Sequence, residues 1–284
     1  MLTVEAPAKI NLTLEVLGKR PDGYHEIRSV IQELSFCDSL QFTPAKEIIF
    51  KSNAPEWSGN QSLVAKAVKM LTETTGCTDG ATIKIKKRIP LISGLGGDSS
   101  DAAAILRGLN QLWELRLTHS KLLKITQELG SDVSFFLSGG TALMEGRGEI
   151  ITALPPLPHQ WVILIIPDVA KLQGKTKRLY SMLQPSHFTD GKITDKLVAD
   201  LKSGGEVHTS QLFNTFENVV FARGEELTNY RDHLLKIGAP NLHLAGSGPT
   251  LFILLDNKPQ AEELLKRLKD QKMEAYLTET RNGL

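Results

Sequence analysis

A glycine-rich stretch limits what this sequence can fold into more than any other feature. Residues 93–101 read SGLGGDSSD, with three glycines within four residues, and apolar residues then recur at helical spacing over 102–113. Glycine permits positive φ angles and close approach of a ligand to the backbone, while the unpaired N–H groups at a helix N-terminus attract anions. The stretch therefore predicts either a phosphate-binding loop before a helix or a tight turn capped by Ser99 or Ser100.

Two familiar phosphate motifs do not fit this stretch. A P-loop would end in Gly-Lys-Ser or Gly-Lys-Thr, and a dinucleotide fingerprint would carry a third glycine after Gly94 and Gly96 at a fixed spacing. The loop by itself leaves the choice between phosphate binding and a structural turn open.

Hydrophobic patterning along the rest of the chain predicts an α+β fold. Strict alternation over residues 10–16 indicates a half-buried strand. Further strands are predicted at 26–34, 40–43, 48–51, 81–86, 161–166, 242–245, 250–255 and 274–277, with a hairpin over 141–154. Helices are predicted at 62–74, 102–113, 118–129 and 260–269, with several more between 175 and 237. The proline-rich residues 155–158 suggest domains at 1–158 and 159–284.

Charge, apolar runs and cysteine content limit the partners and the cellular compartment that we expect. The 284 residues carry 33 Lys and Arg against 32 Asp and Glu, so we expect neither nucleic acid nor a membrane as the main partner. No basic and apolar leader opens the sequence, and no run of about eighteen apolar residues occurs. The two cysteines form no disulfide or metal-binding pattern, which favours a cytoplasmic protein with reduced thiols.

Three separated motifs resemble those of the GHMP kinases. Residues 90–103, PLISGLGGDSSDAA, are similar to the second motif of that superfamily, while 7–12 (PAKINL) and 244–250 (LAGSGPT) are similar to the first and third. The resemblance implies a two-domain α+β fold with the active site in the interdomain cleft. It implies ATP and Mg²⁺ as cofactors, without indicating a metal ligand. The residues implied to hold ATP are Pro90, Gly94, Leu95, Gly96, Gly97, Ser99 and Ser100.

The same resemblance implies a catalytic pair. Asp132, in the sequence LGSDV, matches the position of the catalytic aspartate, and Lys9 matches the lysine of the first motif. A kinase that acts on an alcohol needs an acceptor for the hydroxyl proton and a cation near the developing charge. Asp132 is thus expected to act as base, with Lys9 polarising the hydroxyl or steadying the aspartate. From the residues alone, the simpler interpretation is a surface aspartate that caps a turn and a surface lysine at a strand start.

The segment 18–25, GKRPDGYH, resembles the G-x-R-x-D-G-Y-H sequence of the diphosphocytidyl-methylerythritol kinases. The resemblance implies that Tyr24 stacks on cytosine, that His25 makes polar contacts to it, and that Asn11 bonds substrate hydroxyls. Thr176 and Tyr180 match a threonine and an aromatic residue of that family. The implied reaction is ATP-dependent phosphorylation of the 2-hydroxyl of 4-diphosphocytidyl-2-C-methyl-D-erythritol. Alternatively, the aromatic residues could pack in a hairpin and a helix core.

Two other functions remain open on sequence grounds. A GHMP kinase with a different acceptor (homoserine, mevalonate or a sugar) would keep the three motifs, and a binding protein of this fold would keep ATP affinity without turnover. Asp98 stands where the family usually has glycine, and its charge would repel phosphate unless it points away or helps to hold Mg²⁺. A monomer or homodimer is expected.

Overall fold

The structure, a computed structural model, describes residues 1–59, 62–170, 174–221 and 226–283. These contain eleven strands and nine α-helices in a mixed order. The strands are β1 Leu2–Lys19, β2 His25–Ala45, β3 Ile48–Ser52, β4 Gly80–Lys86, β5 Thr141–Gly146, β6 Ile150–Ala153, β7 Trp161–Ile166, β8 Phe213–Asn214, β9 His243–Leu244, β10 Leu251–Leu255 and β11 Glu274–Glu279. The helices are α1 Leu63–Thr75, α2 Gly97–Leu112, α3 His119–Gln127, α4 Ser131–Ser138, α5 Lys175–Met182, α6 Lys192–Lys202, α7 Glu217–Val220, α8 Glu226–Lys236 and α9 Lys258–Asp270.

The chain forms two compact units, and neither is continuous in sequence. The first unit comprises Met1–Ala8, Phe36–Leu91 and Gly96–Gly139, and the second comprises Lys9–Ser35, Ile92–Leu95 and Gly140–Leu284. The long strands β1 and β2 each contribute residues to both units. The sequence division at residue 158 stays a prediction.

The first unit packs helices on a small mixed sheet. The second half of β2 pairs antiparallel with β4, from Ser39 opposite Lys86 to Ala45 opposite Gly80, and β4 pairs parallel with β3. Helix α2 packs against α1 and α4. A methyl group at Gly108 of α2 would lie 2.4 Å from the Phe42 ring, so glycine is what lets this helix lie close to the sheet. The glycine-rich loop therefore enters a helix that is anchored along one side.

The second unit contains two sets of paired strands. The first half of β2 pairs with β5, which forms a hairpin with β6, and β8 pairs parallel with β1 at Thr13 opposite Phe213. A separate four-stranded antiparallel sheet has the order β11-β7-β10-β9, with α9 packed against it. Residues 162–165 of β7 are fully buried, which confirms the buried strand expected there.

Most predicted elements are confirmed, but two expectations were wrong in detail, and one strand and one helix were not predicted. The alternation over residues 10–16 predicted a half-buried strand, yet the polar residues Asn11, Thr13 and Glu15 are buried as well. Glu15 Oε2 accepts a hydrogen bond from the backbone N–H of Thr194 in the first turn of α6, at 2.7 Å. Separate runs at 26–34 and 40–43 form the single strand β2, and no sequence pattern predicted the short β8.

No α-helix among the described residues is both long and apolar enough to cross a membrane.

Candidate active site

The beginning of the glycine-rich loop and the third motif contact each other backbone to backbone in the second unit. A methyl group at Gly94, where φ is +85°, would lie 2.1 Å from Ala245 O and 2.9 Å from Gly248 N. The backbone N–H of Thr250 donates to Ser93 O at 3.3 Å. Only glycine fits at this crossing, because a side chain would occupy the space of the opposing backbone and because left-handed φ disfavours other residues.

The first motif joins this contact. The Lys9 backbone N–H donates to Leu95 O at 3.0 Å, and a methyl group at Gly246 would lie 3.2 Å from Lys9 Nζ. The sequence positions that resemble the first motif, the start of the second and the third therefore lie together. Three segments that are distant in sequence thus meet at one lysine. Only the family resemblance predicted this meeting, since no local pattern indicates it.

Lys9 is held by a chain of hydrogen bonds. It is buried, so the expectation of a surface lysine was wrong. Its Nζ donates to Asn11 Oδ1 at 2.8 Å, and Asn11 Nδ2 donates to Ser29 Oγ at 2.8 Å. Ser29 Oγ in turn donates to Thr13 O. Asn11 thus orients the ammonium group, and its amide retains one donor hydrogen and one acceptor lone pair for a ligand.

Asn214 is a positioning residue that sequence reasoning missed. Its Nδ2 donates to Leu244 O at 2.9 Å and to Gly246 O at 2.8 Å, and its Oδ1 accepts from Phe216 N at 3.0 Å. Asn214 is buried, so these bonds are shielded from water and fix the carbonyl groups that flank the third motif. A buried asparagine in a two-residue strand carries no local sequence signal.

The second part of the glycine-rich loop belongs to the first unit and begins α2. Gly96 has φ +76° and precedes the helix, and Ser100 N donates to Gly96 O at 2.9 Å. Ser100 Oγ is buried and has no hydrogen-bond partner among the described residues. The first turn thus offers unpaired N–H groups and an unsatisfied hydroxyl, a donor set that fits a phosphate group of ATP.

Asp98 lies exposed in that first turn. An acidic side chain there favours the helix, because the N-terminus carries partial positive charge. Because its carboxylate is exposed to water, its repulsion of phosphate, which we expected from the sequence, is screened.

Asp132 is the second residue of α4. The helix begins directly after Gly130, whose φ is +145°. Its side chain is partly exposed. Neither α4 nor its start was predicted, because only eight residues separate two glycine-containing turns. Asp132 belongs to the first unit and Lys9 to the second, and their pairing stays a prediction.

An aromatic cluster surrounds His25. Its ring stacks on Tyr180 with centroids 4.8 Å apart, and Phe188 and Phe216 approach His25 and Tyr180 edge-on at 6.1 and 4.9 Å. Burial and the nearby Lys19 ammonium lower the pKa of His25 below its ordinary value. A neutral imidazole keeps one donor and one acceptor nitrogen, which suits contacts to a base edge.

Tyr24 lies outside this stack. It is 57% exposed, and its ring lies 4.9 Å from the guanidinium carbon of Arg147. The alternative that Tyr24 packs within a hairpin core was therefore wrong, while His25 and Tyr180 do pack on each other.

The start of α5 contacts the third motif. Thr176 Oγ1 and Ser247 Oγ lie 2.8 Å apart, and Lys175 Nζ lies 3.2 Å from the place where a Gly248 methyl group would be. Thr176 and Lys9 therefore both lie beside the third motif. In the sequence, Lys175 belongs to a group of basic residues with Lys171, Lys177 and Arg178. Lys171 lies outside the described residues.

A buried ionic triad, formed by Asp38, Lys87 and Asp101, lies in the first unit. Lys87 Nζ is 2.6 Å from Asp38 Oδ2 and 2.7 Å from Asp101 Oδ2. Burial raises the pKa of Asp101 to about 7, with help from the Asp38 and Asp98 carboxylates and against the Lys87 ammonium. Burial lowers the pKa of Lys87, but the two carboxylates outweigh it and leave that pKa above its ordinary value. No sequence pattern indicated that these three side chains would meet.

The pKa of Asp101 predicts a pH dependence of stability. Since this pKa is raised above its ordinary value of 3.8 to about 7, the contribution of protonated Asp101 is complete below 3.8 and is lost as pH rises through about 7. In Asp101→Asn this titration is absent. We therefore expect the free energy of unfolding of wild type, relative to Asp101→Asn, to decrease between about pH 4 and 8, as measured by urea unfolding. Parallel pH profiles for the two proteins would contradict this assignment.

Among residues 1–59, 62–170, 174–221 and 226–283, no group of three or more His, Cys, Asp or Glu side chains is placed to hold a metal ion.

Comparison with known proteins assigns the chain to a family. The family "GHMP kinases N terminal domain" matches residues 62–140, and "GHMP kinases C terminal" matches residues 197–274. A 4-diphosphocytidyl-2-C-methyl-D-erythritol kinase of Dehalococcoides mccartyi is 50% identical over 280 residues, which cover 99% of this chain and 98% of that protein. The Symbiobacterium thermophilum kinase of the same name is 36% identical, with 98% of this chain and 99% of that protein covered.

Solved structures agree with this assignment. A crystal structure of 4-(cytidine 5'-diphospho)-2C-methyl-D-erythritol kinase matches with a TM-score of 0.84 at 29% identity, covering 99% of this chain and 100% of that one. Homoserine kinase from Cytophaga hutchinsonii matches with a TM-score of 0.71 at 18% identity, covering 99% and 95%, and this likeness shows the fold alone. The expected α+β fold of two GHMP domains is confirmed, and the chain belongs to the 4-diphosphocytidyl-2-C-methyl-D-erythritol kinase family of the GHMP kinases.

Proposed function

We propose that this chain transfers the γ-phosphoryl group of ATP to the 2-hydroxyl of 4-diphosphocytidyl-2-C-methyl-D-erythritol, a step in isoprenoid precursor biosynthesis. The observation that carries the proposal is the meeting of Lys9, Asn11, Gly94 and Gly246 in the second unit, in a chain that matches kinases of this name along nearly its whole length. Homoserine and mevalonate kinases share the fold, but their low identity gives no support for those acceptors.

The proposed chemistry divides between two residues. Asp132 accepts the proton of the 2-hydroxyl as its oxygen attacks the γ-phosphorus, and the bond from that phosphorus to the β,γ-bridging oxygen breaks to release ADP. Lys9, whose ammonium is oriented by Asn11, stabilises the negative charge on the reacting oxygen atoms. The described contacts support the orientation of Lys9, and the role of Asp132 rests on its match to the family motif.

We propose that ATP is held by the glycine-rich loop. The backbone N–H groups at the start of α2 and the Ser100 hydroxyl bind phosphate oxygens, and Pro90, Gly94, Leu95, Gly96, Gly97 and Ser99 shape the loop. Mg²⁺ would accompany ATP and neutralise phosphate charge. The helix N-terminus and the unsatisfied Ser100 hydroxyl support this assignment.

The cytidine end of the acceptor is assigned to the aromatic cluster. Tyr180 offers a ring for stacking, His25 offers a neutral imidazole, and Tyr24 offers an exposed ring beside Arg147. In the structure His25 covers one face of Tyr180 at 4.8 Å, a spacing that leaves no room for a base between these two rings. We therefore place the base outside the gap between His25 and Tyr180, with Thr176 near the third motif and Asn11 near the acceptor hydroxyls.

Replacing Tyr180 with Leu tests this assignment. Stacking on an aromatic ring contributes about 1–3 kcal/mol per base, so we expect the KM for the cytidyl acceptor to rise about 10-fold with little change in the KM for ATP. Tyr276→Leu, in β11, is the matched control and should leave both constants unchanged. Equal effects of Tyr180→Leu on both substrates, or no effect in a folded protein, would reject the stacking role.

Several properties of the proposed enzyme follow its family. We propose a cytoplasmic monomer or homodimer that acts on small molecules, with no nucleic-acid partner, since the net charge of +1 offers no attraction to polyanions.

An acceptor panel tests the proposed function. Purified protein is given Mg-ATP with 4-diphosphocytidyl-2-C-methyl-D-erythritol, homoserine or mevalonate, and ADP release is followed. We expect turnover with the cytidyl acceptor alone, inhibited by CMP in competition with that acceptor. Turnover with homoserine or mevalonate instead would overturn the substrate, and ATP binding without any turnover would favour a binding protein of the same fold.

A further inference from the structure

The buried triad of Asp38, Lys87 and Asp101 joins three elements of the first unit. Asp38 lies on β2, Lys87 follows the last residue of β4, and Asp101 lies on α2. The Lys87 side chain is 4% exposed and both aspartate side chains are fully buried, so all three groups interact in a medium of low polarity. The functional groups proposed above do not include any of the three residues.

Asp38 also fixes the backbone that leads into the glycine-rich loop. Its Oδ1 accepts from Arg88 N at 2.5 Å and from Ile89 N at 2.7 Å, while its Oδ2 pairs with Lys87. A carboxylate that accepts two backbone N–H groups and one ammonium is held in a single orientation. Residues 87–89 are consequently fixed to β2 immediately before Pro90.

The first residue of α2 rests on this fixed segment. A methyl group at Gly97 would lie 3.0 Å from Ile89 Cγ2 and 3.4 Å from Lys87 Nζ. One turn further along the helix, Asp101 Oδ2 accepts from Lys87 Nζ at 2.7 Å. The start of α2 therefore contacts the triad twice, through packing at Gly97 and through the ion pair at Asp101.

We propose that Asp38 and Asp101 are positioning residues for nucleotide binding, which hold Lys87 so that the first turn of α2 keeps its N–H groups directed at the phosphates of a nucleoside triphosphate. This inference rests on the proposed function, in which α2 binds ATP phosphate. The three groups act through the placement of the helix and need not touch the nucleotide.

A role in stability alone is the competing explanation. Removing one partner of a buried ion pair commonly destabilises a protein, whichever site it lies near. A test must therefore separate nucleotide affinity from folding stability. Asparagine is the appropriate replacement for both aspartates, because it keeps the side-chain volume and one oxygen acceptor while removing the charge.

The experiment is run at pH 8, above the pKa of about 7 of Asp101, so that its carboxylate is ionised. It measures binding of a non-hydrolysable ATP analogue with Mg²⁺ to wild type, Asp38→Asn and Asp101→Asn by calorimetry, with no acceptor present. Glu33→Gln is the matched control, since Glu33 is a fully buried carboxylate that accepts from Gly140 N and pairs with Arg281 in the second unit. We expect the Kd to rise at least about fivefold in both aspartate variants. The Kd of Glu33→Gln should stay within twofold of the wild-type Kd, even if its Tm falls as far as the Tm of the two aspartate variants.

Steady-state kinetics add a second readout. Both aspartate variants should raise the KM for ATP while the KM for the acceptor and kcat at saturation change less than about threefold. Kd values within twofold of wild type in folded Asp38→Asn and Asp101→Asn, or an equal increase in Glu33→Gln, would overturn the inference. If neither aspartate variant folds, Lys87→Arg, which keeps the charge but enlarges the group beneath Gly97, is judged by the same Kd criterion.

Failure of this inference is distinguishable from failure of the proposed function. Nucleotide binding is measured without acceptor, so the triad is tested even if the wild-type protein phosphorylates a different alcohol.

Discussion

Asp132→Asn is expected to lower kcat by about 10²–10⁴-fold, the range that a general base contributes. Asparagine keeps the shape of the side chain but cannot accept the proton of the attacking hydroxyl. Because ATP is assigned to the glycine-rich loop rather than to Asp132, the Kd for a non-hydrolysable ATP analogue should change less than about threefold. Single-turnover kinetics at saturating ATP and acceptor measure the chemical step directly.

Asp79→Asn is the matched control for this prediction. Asp79 is exposed in the segment between α1 and β4 of the same unit, and its replacement should leave kcat unchanged. A kcat within threefold of wild type in Asp132→Asn would remove Asp132 from the mechanism. A loss of ATP affinity as large as the loss of kcat would instead assign Asp132 a role in nucleotide binding.

Gly94→Ala is expected to lower kcat/KM for ATP by about 10²-fold, a loss typical of displacing a site by about 1 Å. The new methyl group would lie 2.1 Å from Ala245 O, so the loop and the third motif must separate. That separation moves Gly246 away from Lys9 Nζ and Asn11 Oδ1, which lie 3.2 and 3.5 Å from the Gly246 methyl position. The left-handed φ of +85° adds about 1–2 kcal/mol of strain for any residue with a Cβ.

Gly204→Ala separates the backbone strain from the steric overlap. Gly204 has φ +74° and nothing within 4 Å of its methyl position, so alanine there is strained but does not collide. We expect Gly204→Ala to lose about 1–2 kcal/mol of stability and to keep the activity of wild type. Should Gly94→Ala behave like Gly204→Ala in the ATP assay, the contact between the loop and the third motif would not matter for function.

Much of the fold could be predicted because its signals are local. The alternation over 10–16, the apolar face of α9 and the glycine-rich loop before α2 each arise within one element, where side-chain period or backbone freedom is decisive. Helix α4 and strand β8 were not predicted. With eight and two residues, these elements are too short to show a hydrophobic period.

The burial of polar residues on β1 could not be predicted from the strand itself. Alternation distinguishes two faces but does not say what covers the polar one. Glu15 is covered by the first turn of α6, through Thr194, which lies 179 residues further along the chain. Such coverage depends on tertiary packing, which overrides the local pattern.

The candidate site shows the same division. Lys9, Asn11 and the glycines belong to short motifs that the family resemblance could place. Ser29 and Asn214, which orient Asn11 and the Gly246 carbonyl, stand alone in sequences without motif character. The triad of Asp38, Lys87 and Asp101 likewise requires three segments to be brought together, and only the structure reveals that Asp101 faces inward.

The ³¹P NMR spectrum of the reaction product tests the central claim most directly. The 2-carbon of 2-C-methylerythritol carries a methyl group and no hydrogen, so a phosphate on the 2-hydroxyl has no proton three bonds away. We predict one new phosphomonoester signal without proton splitting, formed in equal amount to ADP, beside an unchanged diphosphate pair. A doublet or triplet would place the phosphate on another hydroxyl of the acceptor, and inorganic phosphate alone would show hydrolysis of ATP; either result would contradict phosphorylation of the 2-hydroxyl.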